Sequence, residues 1–163
     1  ETVQAAAELA ARARVHVILN PAPAQKLPDT LLKLVSILTP NETEAEWLTG
    51  IKVDSDAAAA KAADTLLAKG VRTVILTLGA RGAFVATKES QSLIAGFKVK
   101  PVDTTAAGDV FNGALAVALA EGKSLAEAVR FANAAGALSV TKLGAQPSAP
   151  TRREIERFLR SRH

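Results

Sequence analysis

Asp103-Thr104-Thr105-Ala106-Ala107-Gly108-Asp109, followed by an apolar run from Val110 to Ala120, decides how the rest of the chain is read. A strand is expected to end near Val102 and a helix to begin near Gly108. Only small residues separate the two, so the backbone can approach a ligand closely. The amides of Ala106, Ala107, Gly108 and Asp109 fall at the positive end of the expected helix and lack intrahelical acceptors, which makes a ready anion site. Asp109 in the first turn reads in two ways, as a charge that favours the helix dipole or as a base beside a bound phosphate. Spacing alone does not separate them.

Upstream, residues 2–13 read as an alanine-rich helix. Val15 to Leu19 and Leu34 to Leu38 are short apolar runs of the kind that form buried strands, with His16 expected as a packed strand residue, and a short helix is expected over 28–33. Thr39-Pro40-Asn41-Glu42 opens a helix, with Thr39 as cap, Pro40 in the first helical position and Glu42 completing a capping box. Asn41 and Glu44, three apart, then project from one face. An amide and a carboxylate so placed suit a hydrated magnesium ion near phosphates, and suit an ordinary polar first turn equally well. Trp47 and Leu48 are expected to pack inward.

A further helix spans 54–69, capped by Asp54 or Ser55 and ended by Gly70. Val71 to Leu78 is the strongest strand, Gly79-Ala80-Arg81-Gly82 a tight turn, and Gly82 to Ala86 the returning strand of a hairpin. Leu93 to Val102 is expected to be extended. After the central loop and its helix, Ser124 and Glu127 form a capping box for a helix reaching about Val140, and Thr151 caps the last one. Helices alternating with buried strands argue for an α/β fold with a mostly parallel sheet covered on both faces. Ligands in such sheets bind at the carboxyl ends of strands, where Asn41/Glu44, the 77–82 turn and the 103–109 loop are all expected.

Composition narrows the classes. A hydrophobic content of 48% supports a sizeable core, and no apolar run is long enough to span a bilayer. No basic stretch followed by an apolar core marks a signal peptide, and there is no cysteine for a disulfide or a thiolate metal site. The expectation is a cytoplasmic protein with no membrane partner. Net charge is +4, with basic residues dispersed except for Arg152, Arg153, Arg157, Arg160 and Arg162. Ile155, Phe158 and Leu159 share that segment at helical spacing, so the arginines read as a solvated face. Without aromatic interleaving or a binding motif, nucleic acid is not an expected partner.

The run from Asp103 to Ala114 resembles the second signature of the ribokinase (PfkB) family of sugar kinases. Thr39 to Glu46 resembles the family's Asn-x-x-Glu motif, and Thr77-Leu78-Gly79-Ala80-Arg81-Gly82 its nucleotide loop. Asn20-Pro21-Ala22-Pro23 and Gly144-Ala145-Gln146-Pro147-Ser148 fit the same family in order and spacing. The resemblance implies a ribokinase-like, Rossmann-type three-layer fold, present here as a partial domain. All of 1–163 would be the C-terminal nucleotide-binding and catalytic portion, lacking the N-terminal sugar-binding and lid part.

The implied reaction is ATP-dependent phosphorylation of D-ribose to D-ribose 5-phosphate. Asp109 would be the general base, with the amides of Ala106, Ala107 and Gly108 as anion hole. Asn41 and Glu44 would help organise magnesium and the phosphates, and Thr77 to Gly82 with Asn133 would line the nucleotide pocket. A monovalent cation, potassium by analogy, would be held by Asp103, Thr105, Ser139, Lys142, Gly144 and Ser148, largely through backbone carbonyls. The isolated chain would be inactive or nearly so, and would self-associate or join the missing half. Two alternatives stand beside this reading: a nucleotide-binding module without catalysis, and a related kinase of the family acting on another sugar, a nucleoside or a vitamin.

Overall fold

The computed structural model describes residues 1–162. Its strands are β1 (Ile18–Leu19), β2 (Ile37–Leu38), β3 (Thr73–Thr77), β4 (Gly82–Ala86) and β5 (Gln91–Ala95), which lie in that order in one sheet. β1, β2 and β3 are parallel, with Ile18 opposite Ile37 and Ile37 opposite Thr73. Residues 78–81 and 87–90 are connections too short for a crossover, so β4 and β5 are added antiparallel. The fold is therefore α/β, as expected, with a mixed sheet.

The chain forms two compact units. The first comprises Glu1–Leu78 and Phe84–Leu93, and the second comprises Gly79–Ala83 and the chain from Ile94 on. In the first unit, α1 (Thr2–Arg12), α2 (Asp29–Leu32), α3 (Glu42–Thr49) and α4 (Asp56–Ala68) accompany the strands. Val74, Leu76, Leu38 and Val35 are fully enclosed with Ala59, Ala62, Ala63 and Leu66 of α4. Three alanines on one α4 face bring that helix close to β3, and each large side chain so buried is worth about 1.5–3 kcal/mol.

The second unit holds α5 (Ala107–Ala120), α6 (Leu125–Ser139) and α7 (Arg152–Arg160). α5 buries Phe111, Leu115 and Ala118, and α6 buries Ala128, Ala132 and Ala135. Small α6 residues at helical spacing permit a close α5–α6 approach, the most extensive helix pairing in the chain. Ile155 of α7 is buried, while Arg153, Arg157, Arg160 and Arg162 are exposed, as the amphipathic spacing predicts.

Several expectations are corrected. Only Ile18 and Leu19 of the first apolar run pair in the sheet, and His16 is exposed. Arg14 at φ 56° turns the chain off α1, with the Val15 amide donating to Ala10, so residues 15–16 never reach the strand. The second strand shortens because the Leu34 and Val35 amides still close turns onto Leu31 and Leu32.

The helix opened by Thr39-Pro40 begins later, at Glu42, with Asn41 rather than Thr39 as cap. Thr39 is held back in extended backbone by its amide bond to Leu19. Trp47 is half exposed, whereas Leu48 packs against the core. No strand reaches Val102 either: β5 stops at Ala95, and the Val102 and Asp103 amides both donate to the Val140 carbonyl at the end of α6.

Candidate active site

The 103–109 loop is built by its own carboxylate. Asp103 Oδ1 accepts from the Thr105 amide at 2.9 Å, and Oδ2 accepts from the Gly144 amide at 2.8 Å. One side chain thus closes the turn and ties it to the loop after α6. These bonds, from Thr105 first and then Gly144, hold the Asp103 carboxyl below its usual range. The next residue to turn is Ala106, the N-cap of α5, at φ 59°, ψ 13° in the left-handed region. A non-glycine residue there carries roughly 1–2 kcal/mol of strain, and such outliers gather where function over-determines the backbone.

No side chain caps α5, whereas α3, α4, α6 and α7 all carry one. Of the three amides expected as an anion hole, that of Ala107 donates to the Thr104 carbonyl at 3.2 Å. Those of Ala106 and Gly108, joined by that of Asp109, have no acceptor among the described residues. Asp109 is exposed in the first turn, with no side-chain partner among the described residues. Asn112 donates to the Gly108 carbonyl at 2.9 Å and leaves its own Oδ1 enclosed without a donor. Sequence reading missed Thr104 and Asn112, because their parts in the turn depend on backbone geometry rather than on motif spacing.

The residues expected around a monovalent cation are gathered only in part. Asp103 and Gly144 meet directly, but the other side chains have separate partners. Ser139 donates to Gly136 at 2.9 Å, Ser148 donates to Ala145 at 2.7 Å, and Lys142 pairs with Glu154 at 3.1 Å. Among the described residues no three acidic or histidine groups cluster for a metal.

The two elements expected at the nucleotide converge on one backbone segment. The Gly96 amide donates to the Arg81 carbonyl at 3.0 Å, closing the turn that follows Thr77 and Leu78. Buried Asn133 donates to the carbonyls of Ile94 at 3.0 Å and Ala95 at 3.3 Å. Gly79 and Ala80 are exposed at the tip. In the first unit, Asn41 bridges to Thr77 and forms a full capping box with Glu44: Asn41 Oδ1 accepts from the Glu44 amide, and Glu44 Oε2 from the Asn41 amide, each at 2.8 Å. The pair is therefore an element of helix structure whatever else it does. Glu44 is buried and Asn41 exposed.

A groove of about 540 Å³ starts at Ala106 and Asp109, follows Gly113, Ala114 and Val117 along α5, and ends at Arg152. Arg152 is engaged by Glu121 and Glu156 and lies 5.8 Å from the Phe131 ring. The floor is thus apolar, with the Asp109 carboxylate at one end. Among the described residues no helix is long and apolar enough to cross a membrane.

An α/β fold in which an uncapped helix terminus carries a carboxylate in its first turn has the geometry of an anion-binding protein. The profile described as pfkB family carbohydrate kinase matches residues 1–152, and the chain belongs to that family. The ribokinase of Haemophilus influenzae is 55% identical over 157 residues, which are 96% of this chain and 51% of that protein. Among solved structures, ribokinase from Thermotoga maritima superposes with a TM-score of 0.87 at 48% identity, over 95% of this chain and 52% of that one. Arabidopsis thaliana ribokinase complexed with ribose and ATP gives 0.92 at 35% identity, over 97% and 52%. The chain spans about half the length of the relatives it matches.

Proposed function

We propose that this chain is the C-terminal, nucleotide-binding and base-bearing portion of a sugar kinase that converts D-ribose and ATP into D-ribose 5-phosphate and ADP. The observation that carries the reading is the uncapped α5 terminus at Ala106, with Asp109 in its first turn. Asp109 takes the proton of the sugar's primary hydroxyl as that oxygen attacks the γ-phosphorus. The phosphorus–oxygen bond to ADP breaks, and the amides of Ala106, Gly108 and Asp109 donate to the phosphoryl oxygens. The Ala107 amide joins them if its bond to Thr104 opens.

Positioning and charge stabilisation of this kind supply most of the rate in phosphoryl transfer. The 77–82 turn and Asn133 border the nucleotide, with Asn133 acting through the 94–95 backbone it holds. Asn41 and Glu44 would help organise magnesium and the phosphates. Magnesium, when bound, would neutralise phosphate charge, and a potassium-like ion, for which the Asp103 and Gly144 loops would supply oxygens, would add positive charge. Acceptor identity follows the ribokinases to which the chain is similar. An ATP-consuming sugar kinase of this type belongs in the cytoplasm.

The test is calorimetric binding of Mg-ATP in potassium buffer, with ADP release followed with and without D-ribose, for the chain and for Asp109→Asn. Mg-ATP binding, with ribose-dependent release weak or missing in the chain alone, is expected. Absence of ATP binding by the folded chain overturns the nucleotide assignment. Ribose-dependent release that survives Asp109→Asn overturns the base.

A further inference from the structure

We infer that Asn112 is a positioning residue, which aims and polarises the Asp109 amide from one turn further along α5. For the anion that this amide meets, the inference rests on the function proposed above; for the peptide itself it rests on geometry alone. Asn112 is the one polar side chain between Val110 and Ala120. Its Nδ2 donates to the Gly108 carbonyl, four residues back, at 2.9 Å. That carbonyl and the Asp109 N–H are the two ends of one planar peptide. The Asp109 amide has no acceptor among the described residues, so its direction is set by what holds the other end of the plane.

The bond has two effects. A donor at the oxygen draws electron density along the peptide and makes its N–H a stronger donor, as in any chain of hydrogen bonds. It also gives a second anchor to a peptide in the first turn, where helices fray. Both effects fall on the residue that carries the carboxylate, so Asn112 sets an anion donor and the neighbouring base together. The face is open to a ligand. Nothing stands within 4 Å of a Cβ built on Gly108, and Gly108 and Asp109 are both exposed.

As helix structure alone, asparagine is a poor choice at this position. It has a lower helix propensity than alanine. Its Oδ1 is enclosed with no donor among the described residues, which costs stability. The Gly108 carbonyl does not depend on the side chain, because it lies within α5, where the ladder supplies the amide of residue 112. What Asn112 supplies that alanine would not is the extra donor to Gly108. A residue that weakens its own helix while tuning a first-turn amide trades stability against function.

The test compares the chain with Asn112→Ala and Asn112→Ser, since a serine hydroxyl in a helix donates to the carbonyl four residues back. Three quantities are read: the Asp109 amide resonance in the ligand-free, nitrogen-15-labelled protein, the melting temperature, and Mg-ATP affinity by calorimetry. In Asn112→Ala the Asp109 amide should move upfield, with the Ala118 amide as an unmoved reference. The melting temperature should equal or exceed that of the unsubstituted chain. Mg-ATP affinity should weaken roughly three- to tenfold, a fraction of what one hydrogen bond to a charged group contributes. Asn112→Ser should return both resonance and affinity most of the way.

An Asp109 resonance unmoved in Asn112→Ala overturns the inference. So does an affinity loss that comes with a lowered melting temperature and is not recovered by serine, because a residue that only holds the helix behaves that way. Affinity unchanged although the resonance moves overturns it as well, since the amide then has no part in the anion site, and the function proposed above still stands. A folded, unsubstituted chain that binds no Mg-ATP refutes that function instead, and the resonance then decides the inference alone.

Discussion

Ala106→Gly is expected to stabilise the protein, although alanine-to-glycine changes usually do the opposite. Ala106 caps α5 at φ 59°, ψ 13°. Releasing an L-residue from that region recovers roughly 1–2 kcal/mol, while glycine's extra freedom in the unfolded chain takes back about 0.4–1 kcal/mol. The Ala106 methyl is only half-buried, so its loss subtracts little. The balance is a gain of about 0.5–1 kcal/mol, which for a domain of this size raises the melting temperature by about 1–4 °C. The control is Ala116→Gly on the exposed side of the same helix, where the substitution costs about 0.8–1 kcal/mol. Thermal unfolding followed by circular dichroism should therefore show shifts of opposite sign for the two variants. Mg-ATP affinity of Ala106→Gly should stay within about threefold, because glycine holds the left-handed turn without strain. A melting temperature that falls in Ala106→Gly refutes the geometry assigned to the loop.

Two further outcomes follow from the same structure. Gly82 sits at φ 107°, and a Cβ there would drive into the Ile94 carbonyl oxygen and the Gly96 amide and come within 2.7 Å of the Ala95 carbonyl carbon; Gly82→Ala should cost more than about 3 kcal/mol, read as a lost or strongly lowered unfolding transition, and a loss below about 1 kcal/mol counts against that backbone contact. Glu154 is drawn from 4.5 down to about 2 by the Thr151 amide and hydroxyl and then by Lys142. A carboxyl whose folded value is depressed contributes stability above its unfolded value. The melting-temperature advantage over Glu154→Gln should thus be full above about pH 4.5 and fade toward about pH 2; a difference that does not change over that window contradicts the bonding at Thr151.

How far the sequence could be read depended on whether a feature is local. The capping box at Ser124/Glu127 and the cap at Thr151 form where the sequence places them, because each is settled within one turn. The apolar periodicity of α5 and α6 likewise fixes which faces meet. The strand expected up to Val102 failed for the opposite reason. Phe97, Val99 and Val102 suit a strand, but the Val102 and Asp103 amides donate to Val140, some forty positions away, which no local pattern reveals. In the 103–109 loop, small residues and Asp109 raised the expectation of an anion site, and the structure leaves the α5 terminus there without a side-chain cap. The reach of Asp103 to Gly144, which holds that loop in shape, is a long-range bond and was not legible. The same holds for Asn133, whose buried amide fastens the 94–95 backbone.

The Asn41-x-x-Glu44 motif shows how one spacing can satisfy two demands, and a pair of substitutions separates them. Read as structure, it is a capping box in which each residue's backbone amide donates to the other's side-chain oxygen at 2.8 Å. Read as chemistry, it is a carboxylate on the magnesium side of a nucleotide site. Glutamine at the third helical position preserves a capping box but removes the charge; alanine removes both. Glu44→Gln should therefore melt within about 2 °C of the unsubstituted chain, whereas Glu44→Ala should lose about 1 kcal/mol, or about 2–4 °C. If the carboxylate also serves magnesium, the magnesium concentration that half-saturates ATP binding should rise severalfold in Glu44→Gln despite its intact fold. If that titration is unchanged in Glu44→Gln and altered only in Glu44→Ala, the motif acts through the helix start alone. Glu44 then positions Asn41 and the Thr77 bridge rather than meeting the ion's water shell.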